Sequence, residues 1–291
     1  MNFDFTEEQV MLRDSVARYV QDEYDFDTRR GIAESEAGMD RQRWQTFAEL
    51  GWLSIPFAEE YGGFGGDAVD VMVVMEELGK GLVLEPYLAT VLLYGGTLQR
   101  GGSDAVKAEH IPAIIDGSEL GAFAYLERQS RFEMADVLTT ATAEGDGYVL
   151  NGEKTVVFNG ANADYLVVSA RTAGEQSDTD GISLFLVSAE AQGVARTDYR
   201  LMDGQRVANV TLENVFVAGD HLVGEEGQGW PIMQAVVSDA NLALSAEAVG
   251  IMELLNAKTA EYARTREQFG VAIGSFQVLQ HRMVDTFIAC E

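Results

Sequence analysis

Between two predicted helices near the end of the chain, four side chains could bind one ligand together. Arg266 carries a guanidinium that can hold a pyrophosphate through two charge-assisted hydrogen bonds. Phe269 offers a ring for stacking, and the carboxamides of Gln268 and Gln277 add hydrogen-bonding groups. These groups suit a large ligand with anionic and aromatic parts. The alternative is a turn between helices, with a solvated arginine and Gly270 as the C-cap.

The composition is that of a folded and strongly acidic protein. The chain has 291 residues, 47% of them hydrophobic, which is an ordinary value for a globular protein. Its formal net charge is −27 at pH 7. A negative field of this size opposes binding to nucleic acid and to anionic lipid, so we expect neither as a partner.

Cysteine content and the amino terminus bear on the cellular compartment. Cys290 is the only cysteine, so an intrachain disulfide is impossible and a reducing compartment is expected. Residues 1–5 lack the basic and apolar regions of a signal peptide. We expect no apolar run to be long enough to span a bilayer. These features predict a cytoplasmic protein that does not enter a membrane.

The periodicity of apolar residues divides the chain into three regions. Residues 1–119 have the helical period, and Thr6 with Gln9 forms a predicted capping box at the first helix. Residues 120–229 contain short β-branched and aromatic runs separated by turn signals, which predicts an antiparallel or barrel-like β domain. The helical period returns over residues 230–291. We therefore predict an α+β protein with a helical bundle, a β domain and an incomplete helical bundle.

This order resembles the acyl-CoA dehydrogenase family over the whole chain. Beyond the Arg266 loop, the resemblance is carried by five short motifs, at residues 50–52, 56–65, 76–79, 151–154 and 159–164. Within that family, the stretches 124–127 and 246–250 are most similar to the pimeloyl-CoA dehydrogenase small-subunit type. Such subunits are often paired with a second, different dehydrogenase subunit.

The resemblance implies an FAD-dependent enzyme that removes two hydrogens from an acyl-CoA thioester. A carboxylate takes the α proton, and the β hydrogen leaves as a hydride to the flavin. In the family, the residues matching Arg266, Gln268, Phe269 and Gln277 contact FAD that is bound mainly by a neighbouring subunit. The resemblance places Tyr125, Glu127 and Val157 at the FAD bound by the chain itself.

The chain departs from the family pattern on both segments expected to hold its own flavin. Leu126 and Phe132 stand where threonine and serine are expected. Val156 and Phe158 replace a tryptophan and a threonine on the next segment. Hydroxyl donors are thereby lost and bulk is added, whereas Arg128 and Arg131 are extra cations that could hold a phosphate or could simply be solvated.

The catalytic base cannot be identified in the sequence. Asn241 matches an arginine that helps to bind the acyl-CoA in relatives, so it is the predicted substrate-binding position. Some relatives place the catalytic glutamate where this chain has Ala240, which cannot act as a base. The commoner catalytic glutamate would lie beyond Glu291. His110, His221 and His281 have no metal-ligand spacing, and we expect no metal site.

Three functions remain open. The first is a flavoprotein subunit for acyl-CoA α,β-dehydrogenation, in a homo- or hetero-tetramer, that passes electrons to an electron-transfer flavoprotein or a similar acceptor in fatty acid or lipid catabolism. The second is a non-catalytic structural subunit that completes the FAD site of a catalytic partner. The third is a homo-oligomeric flavin oxidase of the same fold, with Arg128 and Arg131 anchoring the cofactor. Because the net charge repels coenzyme A, any thioester needs a local basic pocket or a basic partner surface.

Overall fold

The computed structural model describes residues 4–291, which fold into two compact units. One unit contains residues 4–29, 69–83 and 242–291, and the other contains residues 30–68 and 84–241. The described residues form eight α-helices: α1 (Glu7–Glu23), α2 (Phe26–Glu34), α3 (Arg41–Glu49), α4 (Ala68–Gly81), α5 (Gly96–Gly101), α6 (Asp104–Ile115), α7 (Gly229–Thr265) and α8 (Gln277–Cys290). A π-helix spans Tyr87–Gly95. The predicted order of helices, sheet and helices is confirmed.

The capping box predicted at the first helix is present at the start of α1. The Thr6 Oγ1 atom accepts a hydrogen bond from the Gln9 main-chain N–H at 3.2 Å. The Thr6 N–H in turn donates to the Gln9 side chain at 3.0 Å. Two N–H groups that the helix leaves without internal partners are thereby satisfied, which is why the helix begins here.

In the first unit, α4 and α7 approach each other closely through two glycines. A Cβ atom built on Gly250 would lie 1.9 Å from the Glu76 carbonyl oxygen, and one on Gly79 would lie 2.3 Å from that of Glu247. Beside this contact, the Lys80 ammonium lies 2.9 Å from Glu253 of α7. The absence of two side chains therefore sets the distance between these helices.

The second unit is built around an eight-stranded sheet. Its strands are β1 (Gly121–Ala124), β2 (Thr140–Glu144), β3 (Gly147–Phe158), β4 (Tyr165–Arg171), β5 (Ile182–Ser188), β6 (Val194–Arg200), β7 (Arg206–Ala218) and β8 (Leu222–Val223). The hydrogen-bonded order is β6-β7-β3-β2-β4-β5-β8, and β1 pairs with β4. The β1–β4 pair is parallel, and so is the single contact of β2 with β4. The predicted antiparallel pairing holds for five strand pairs, and the sheet is mixed because β1 enters from the helical region beside β4 rather than through a hairpin.

One helix meets a criterion that the sequence analysis expected no segment to meet. Helix α7 has 37 residues and contains an 18-residue window with a mean hydropathy of 1.3, so by length and composition alone it could cross a bilayer. Only 28% of that window is buried. Core helices of soluble proteins have the same length and composition, so the criterion by itself does not assign α7 to a membrane.

Candidate functional site

The residues predicted to bind a cofactor fall into two groups, one in each compact unit. Tyr125, Glu127 and Val157 lie in the unit that contains the sheet, close to the ends of β1 and β3. Arg266, Gln268, Phe269 and Gln277 lie in the other unit, between α7 and α8. Each group forms a local arrangement of its own.

The segment that follows β1 lies against β3. The Thr155 N–H donates a 2.9 Å hydrogen bond to the Leu126 carbonyl, which aligns the two segments side by side. Tyr125 is half-buried, and its ring centroid lies 4.9 Å from that of Phe123. Burial raises the pKa of the Tyr125 phenol, so its hydroxyl stays protonated at neutral pH. The structure therefore brings together the two segments on which the sequence prediction rests.

A bulge in β3 decides which of its side chains face outward. The pairing of β3 with β7 shifts register between Lys154 and Val157, and Val156 has φ of 52°. A β-branched residue is a conformational outlier in this left-handed region, and such strain often marks a functional site. Val157 is 1% exposed and belongs to the core of the sheet. Because this figure covers main chain and side chain alike, Val157 offers almost no surface to a ligand, whereas Val156 and Phe158 are partly exposed.

Glu127 is buried, and four donors occupy its carboxylate. Oε1 accepts from Lys154 Nζ at 2.7 Å and from the Thr139 N–H at 3.1 Å. Oε2 accepts from the Leu138 N–H at 2.8 Å and from Gln129 Nε2 at 2.9 Å. Burial alone would raise the pKa of Glu127, but the Lys154 charge and these hydrogen bonds lower it to about 2. Glu127 can therefore hold the following segment in place, but it has little capacity left to contact a ligand directly.

Lys154 is also buried, and burial lowers the pKa of its ammonium to about 8 although Glu127 opposes this shift. Burial acts against both charges of the pair. The Glu127 carboxylate accepts four hydrogen bonds, and with the Lys154 charge they outweigh the effect of burial on its pKa. The Lys154 ammonium has only two hydrogen bonds, to Glu127 and to Ser169 Oγ at 3.0 Å, and burial outweighs them. Both groups are charged at neutral pH.

Between Glu127 and β2, the chain forms an exposed loop that carries two cations. Arg128 and Arg131 are exposed, and Arg131 has φ of 50° in the turn. Phe132 is 95% exposed, so its ring extends away from the protein instead of filling the predicted site. The bulk expected from the serine-to-phenylalanine difference therefore lies on the outside of the loop.

Phe158 stands at the end of β3, where the sequence predicted that its ring would add bulk. It lines a narrow pocket of about 30 Å³ together with Pro86, Ala89 and Arg206. The ring is partly buried among these neighbours. A pocket of this size holds about one water molecule, so it is too small for a cofactor.

The residues beside β1 and β3 fit a flavin in part. Tyr125, Leu126, Val156 and Phe158 are each partly exposed and mainly apolar, which is the kind of side chain that packs against an aromatic ring system. The two exposed arginines nearby have the charge to bind a pyrophosphate. The threonine hydroxyl available here, that of Thr155, donates to Asn209 Oδ1 at 2.8 Å. The donor set is therefore weaker in hydroxyls and richer in cations than the family pattern.

In the other unit, a two-residue turn displays the predicted aromatic ring. Strands β9 (Glu267–Gln268) and β10 (Val271–Ala272) pair antiparallel, and Phe269 and Gly270 connect them with φ of 56° and 80°. Two positive φ values are typical of a type I′ turn. Glycine adopts this conformation without strain, whereas phenylalanine is strained in it. The Phe269 ring is 93% exposed, with the Phe276 ring as an edge-on neighbour at 6.2 Å.

The polar groups of this turn are also accessible. Arg266, Gln268 and Gln277 are exposed, and Gln277 begins α8. The Ile273 N–H donates to the Arg266 carbonyl at 2.8 Å, which closes the base of the turn. Phe269 combines a strained main chain with an exposed ring, and the exposed guanidinium of Arg266 is close to it in the chain. A helix C-cap needs none of these features, because a glycine alone can end the helix.

The candidate substrate position lies on α7. Asn241 is exposed there, and Ala240 is 4% exposed. Asp239 forms an ion pair with Arg100. The methyl group of Ala240 cannot remove a proton, and the neighbouring carboxylate is the one paired with Arg100. Residues 4–291 also contain no group of three or more His, Cys, Asp or Glu side chains arranged to hold a metal ion.

Sequence reasoning missed Arg171, the last residue of β4. Its side chain is buried, and it donates only to main-chain carbonyls, among them those of Ala135 and Val137 next to the exposed loop. The sequence did contain a signal for this residue, because Arg171 ends an otherwise apolar strand. A cation buried at such a position needs hydrogen-bonding partners.

Comparison with known sequence families gives matches along almost the whole chain. The acyl-CoA dehydrogenase N-terminal domain matches residues 6–118, the middle domain residues 122–215 and the C-terminal domain residues 227–291. A probable acyl-CoA dehydrogenase of Bacillus subtilis, YngJ, is 32% identical over 98% of this chain and 76% of its own length. A short-chain specific acyl-CoA dehydrogenase of Clostridium acetobutylicum is 29% identical over 100% of this chain and 77% of its own length.

Three solved structures have a similar fold. One, from work on the electron transferring flavoprotein of Acidaminococcus fermentans and flavin-based electron bifurcation, has a TM-score of 0.90 and 30% identity over 100% of this chain and 77% of its own. The prolyl acyl carrier protein oxidase AnaB has a TM-score of 0.90 and 27% identity over 99% and 77%. The FAD complex of PigA has a TM-score of 0.91 and 25% identity over 100% and 77%.

Proposed function

The chain belongs to the acyl-CoA dehydrogenase family of FAD-dependent oxidoreductases, and from this premise we propose that it is a subunit for the α,β-dehydrogenation of an acyl-CoA thioester. The observation that carries the proposal is the pairing of the segment after β1 with the bulged end of β3 through the Thr155–Leu126 hydrogen bond. In this proposal, the partly exposed apolar residues of the two segments would receive the ring, and the exposed Arg128 and Arg131 would serve the pyrophosphate.

FAD, when bound, supplies the hydride acceptor. Tyr125, Val156 and Phe158 would pack against its ring system and exclude water, and the main chain of Val157 would lie behind them. Glu127 would act indirectly, by holding the loop that carries Arg128 and Arg131. These two guanidiniums would lie opposite the pyrophosphate, in place of the family's hydroxyl donors.

The second half of the proposed site is the turn between α7 and α8. We infer that Arg266, Gln268, Phe269 and Gln277 contact FAD held by a neighbouring subunit of a homo- or hetero-tetramer. Their exposure supports this inference, because an exposed guanidinium and an exposed aromatic ring are available to another subunit. Asn241 would contact the acyl-CoA.

The carboxylate that removes the α proton would come from outside residues 4–291. Support comes from Ala240, whose buried methyl group stands where some relatives carry this base. An electron-transfer flavoprotein or a similar acceptor would take the electrons, and the setting would be lipid catabolism in the cytoplasm.

A second candidate is a non-catalytic subunit that completes the FAD site of a catalytic partner. The loss of hydroxyl donors at Leu126 and Phe158 favours it, since the chain's own site would then bind FAD weakly while the Arg266 turn keeps its groups. An oxidase is a further alternative, favoured by the similarity to AnaB and by the extra cations Arg128 and Arg131.

The test is to express the chain alone and with candidate partner subunits, and to measure bound flavin by its visible absorbance and turnover with acyl-CoA thioesters. Arg266→Ala should lower the flavin content of the assembly at least tenfold at limiting FAD, because a charge-assisted bond to phosphate is lost. Arg264→Ala is the matched control, since Arg264 is exposed and only two residues away.

The results separate the candidates. Stoichiometric flavin and dehydrogenation by the lone chain would exclude the structural subunit, and rapid turnover with oxygen as acceptor would favour the oxidase. If no assembly binds FAD, or if Arg266→Ala and Arg264→Ala retain equal flavin, the proposed contact is wrong.

A further inference from the structure

Arg171 is the last residue of β4, and its guanidinium donates hydrogen bonds to main-chain carbonyls of two separate loops. From the loop before β2, Ala135 O accepts from Nη2 at 2.9 Å and Val137 O accepts from Nε at 3.3 Å. From the loop after β4, four carbonyls accept at 2.9–3.3 Å, those of Ala173, Gln176, Asp178 and Asp180. One buried side chain thus joins two loops that lie about 40 residues apart in the chain.

The N–H groups of Arg171 donate to main-chain carbonyls rather than to a carboxylate, while the negative charges of Asp178 and Glu127 favour its charged form from a longer distance. The side chain is 9% exposed, and within residues 4–291 it forms no ion pair at contact distance. A buried cation is costly unless its N–H groups are satisfied, and here six hydrogen bonds satisfy them. The carbonyls benefit as well, because an irregular loop offers them no strand partners. The arrangement works only while both loops keep their conformation.

Arg171 and Glu127 hold the same short stretch through different main-chain groups. The Glu127 carboxylate accepts from the N–H groups of Leu138 and Thr139, while the Arg171 guanidinium donates to the carbonyls of Ala135 and Val137. Residues 135–139, which lead from the loop into β2, are therefore fixed by an anion and a cation together. Residues 128–134 connect Glu127 to residues 135–139, and they include Arg128 and Arg131.

We propose that Arg171 is a positioning residue for cofactor binding, which fixes residues 128–134 so that Arg128 and Arg131 face the pyrophosphate of FAD. The part that concerns FAD rests on the proposed function; the part that concerns the loop does not. The loop of residues 173–180 is a component of the same device, because its carbonyls take up the remaining N–H groups of Arg171.

The experiment compares Arg171→Met and Arg171→Lys with Arg196→Met. Arg196 is a matched control, because its Nη1 also donates to three main-chain carbonyls, those of Gly160, Ala161 and Ala163. Hydrogen exchange followed by mass spectrometry, on the full chain without FAD, reports the protection of residues 126–139 and 173–181. FAD affinity is then measured by flavin fluorescence on the assembly that binds FAD.

We expect Arg171→Met to lower the protection of both loops at least tenfold and to weaken FAD binding at least tenfold, with Arg196→Met changing neither. Arg171→Lys should share the loss, since an ammonium cannot donate to two loops in a fork geometry. If Arg171→Met does not fold, Arg171→Lys decides. Unchanged protection of residues 126–139 in the lysine variant overturns the proposal. Failure of the wild-type assembly to bind FAD would instead refute the proposed function, and the exchange result would still stand.

Discussion

Lys154 Nζ lies 2.7 Å from Glu127 Oε1, and both side chains are buried. This ion pair ties β3, just before its bulge, to the segment that follows β1. The two segments of the candidate site are therefore joined by a charged contact in addition to the Thr155–Leu126 hydrogen bond. Removing either partner would leave the other charge buried and unpaired, which costs about 3–5 kcal/mol in proteins.

The first prediction concerns acid stability. Glu127 has a pKa of about 2 in the folded protein, below its ordinary value of 4.5, so its contribution is present above pH 4.5 and is lost as the pH falls towards 2. A shift of this size corresponds to about 3 kcal/mol. The free energy of unfolding of the wild type should therefore fall more steeply over this range than that of Glu127→Gln, as measured by urea denaturation at each pH.

The control for this measurement is Glu190→Gln, because Glu190 also pairs with an arginine but its side chain is 83% exposed. Its pH profile should parallel that of the wild type. Parallel profiles for Glu127→Gln and the wild type would mean that the buried carboxylate is not held in its charged form.

The second prediction tests the strain at the β3 bulge. Val156 has φ of 52°, a conformation that costs a non-glycine residue about 1–2 kcal/mol. Val156→Gly removes that cost, whereas Val149→Gly, at a partly buried position in the regular part of β3, only removes a side chain that suits a strand. Val156→Gly should therefore be less destabilising than Val149→Gly by about 1–2 kcal/mol in chemical denaturation. Equal losses would show that the left-handed conformation is not strained.

The third prediction concerns the contact between α4 and α7. Gly250→Ala would place a Cβ atom 1.9 Å from the Glu76 carbonyl, so the helices must move apart at a cost of about 1–3 kcal/mol. Gly31→Ala, in α2, has no neighbouring atom within 4 Å and should stabilise the protein by up to about 1 kcal/mol. Thermal unfolding of the two variants should shift in opposite directions, and a neutral Gly250→Ala would contradict the close packing.

Much of the fold could be predicted because it depends on local pattern. The Thr6 capping box and the change from helical to strand periodicity near residue 120 are properties of neighbouring residues, and both are confirmed. The parallel pairing of β1 with β4 was missed, because no local signal shows where a strand enters a sheet.

The candidate site was less predictable. The sequence pointed to Val157, but the bulge turns that side chain into the core and leaves Val156 and Phe158 partly exposed. In a regular strand, side chains alternate between the two faces of the sheet, so the sequence alone shows which of them are exposed. The register shift in β3 breaks that alternation. Glu127 was expected to contact a cofactor, and its burial with four donors instead suggests that it holds the loop.

By itself, the sequence determined the order of helices and strands, the net charge of −27 and the set of groups in the Arg266 turn. Only the tertiary structure decided that Lys154 reaches Glu127 across 27 residues and that Arg171 reaches Ala135 across 36. The physical reason is that periodicity and turn signals act between near neighbours in the chain. Burial and the partners of a buried charge are fixed only when distant segments close around it.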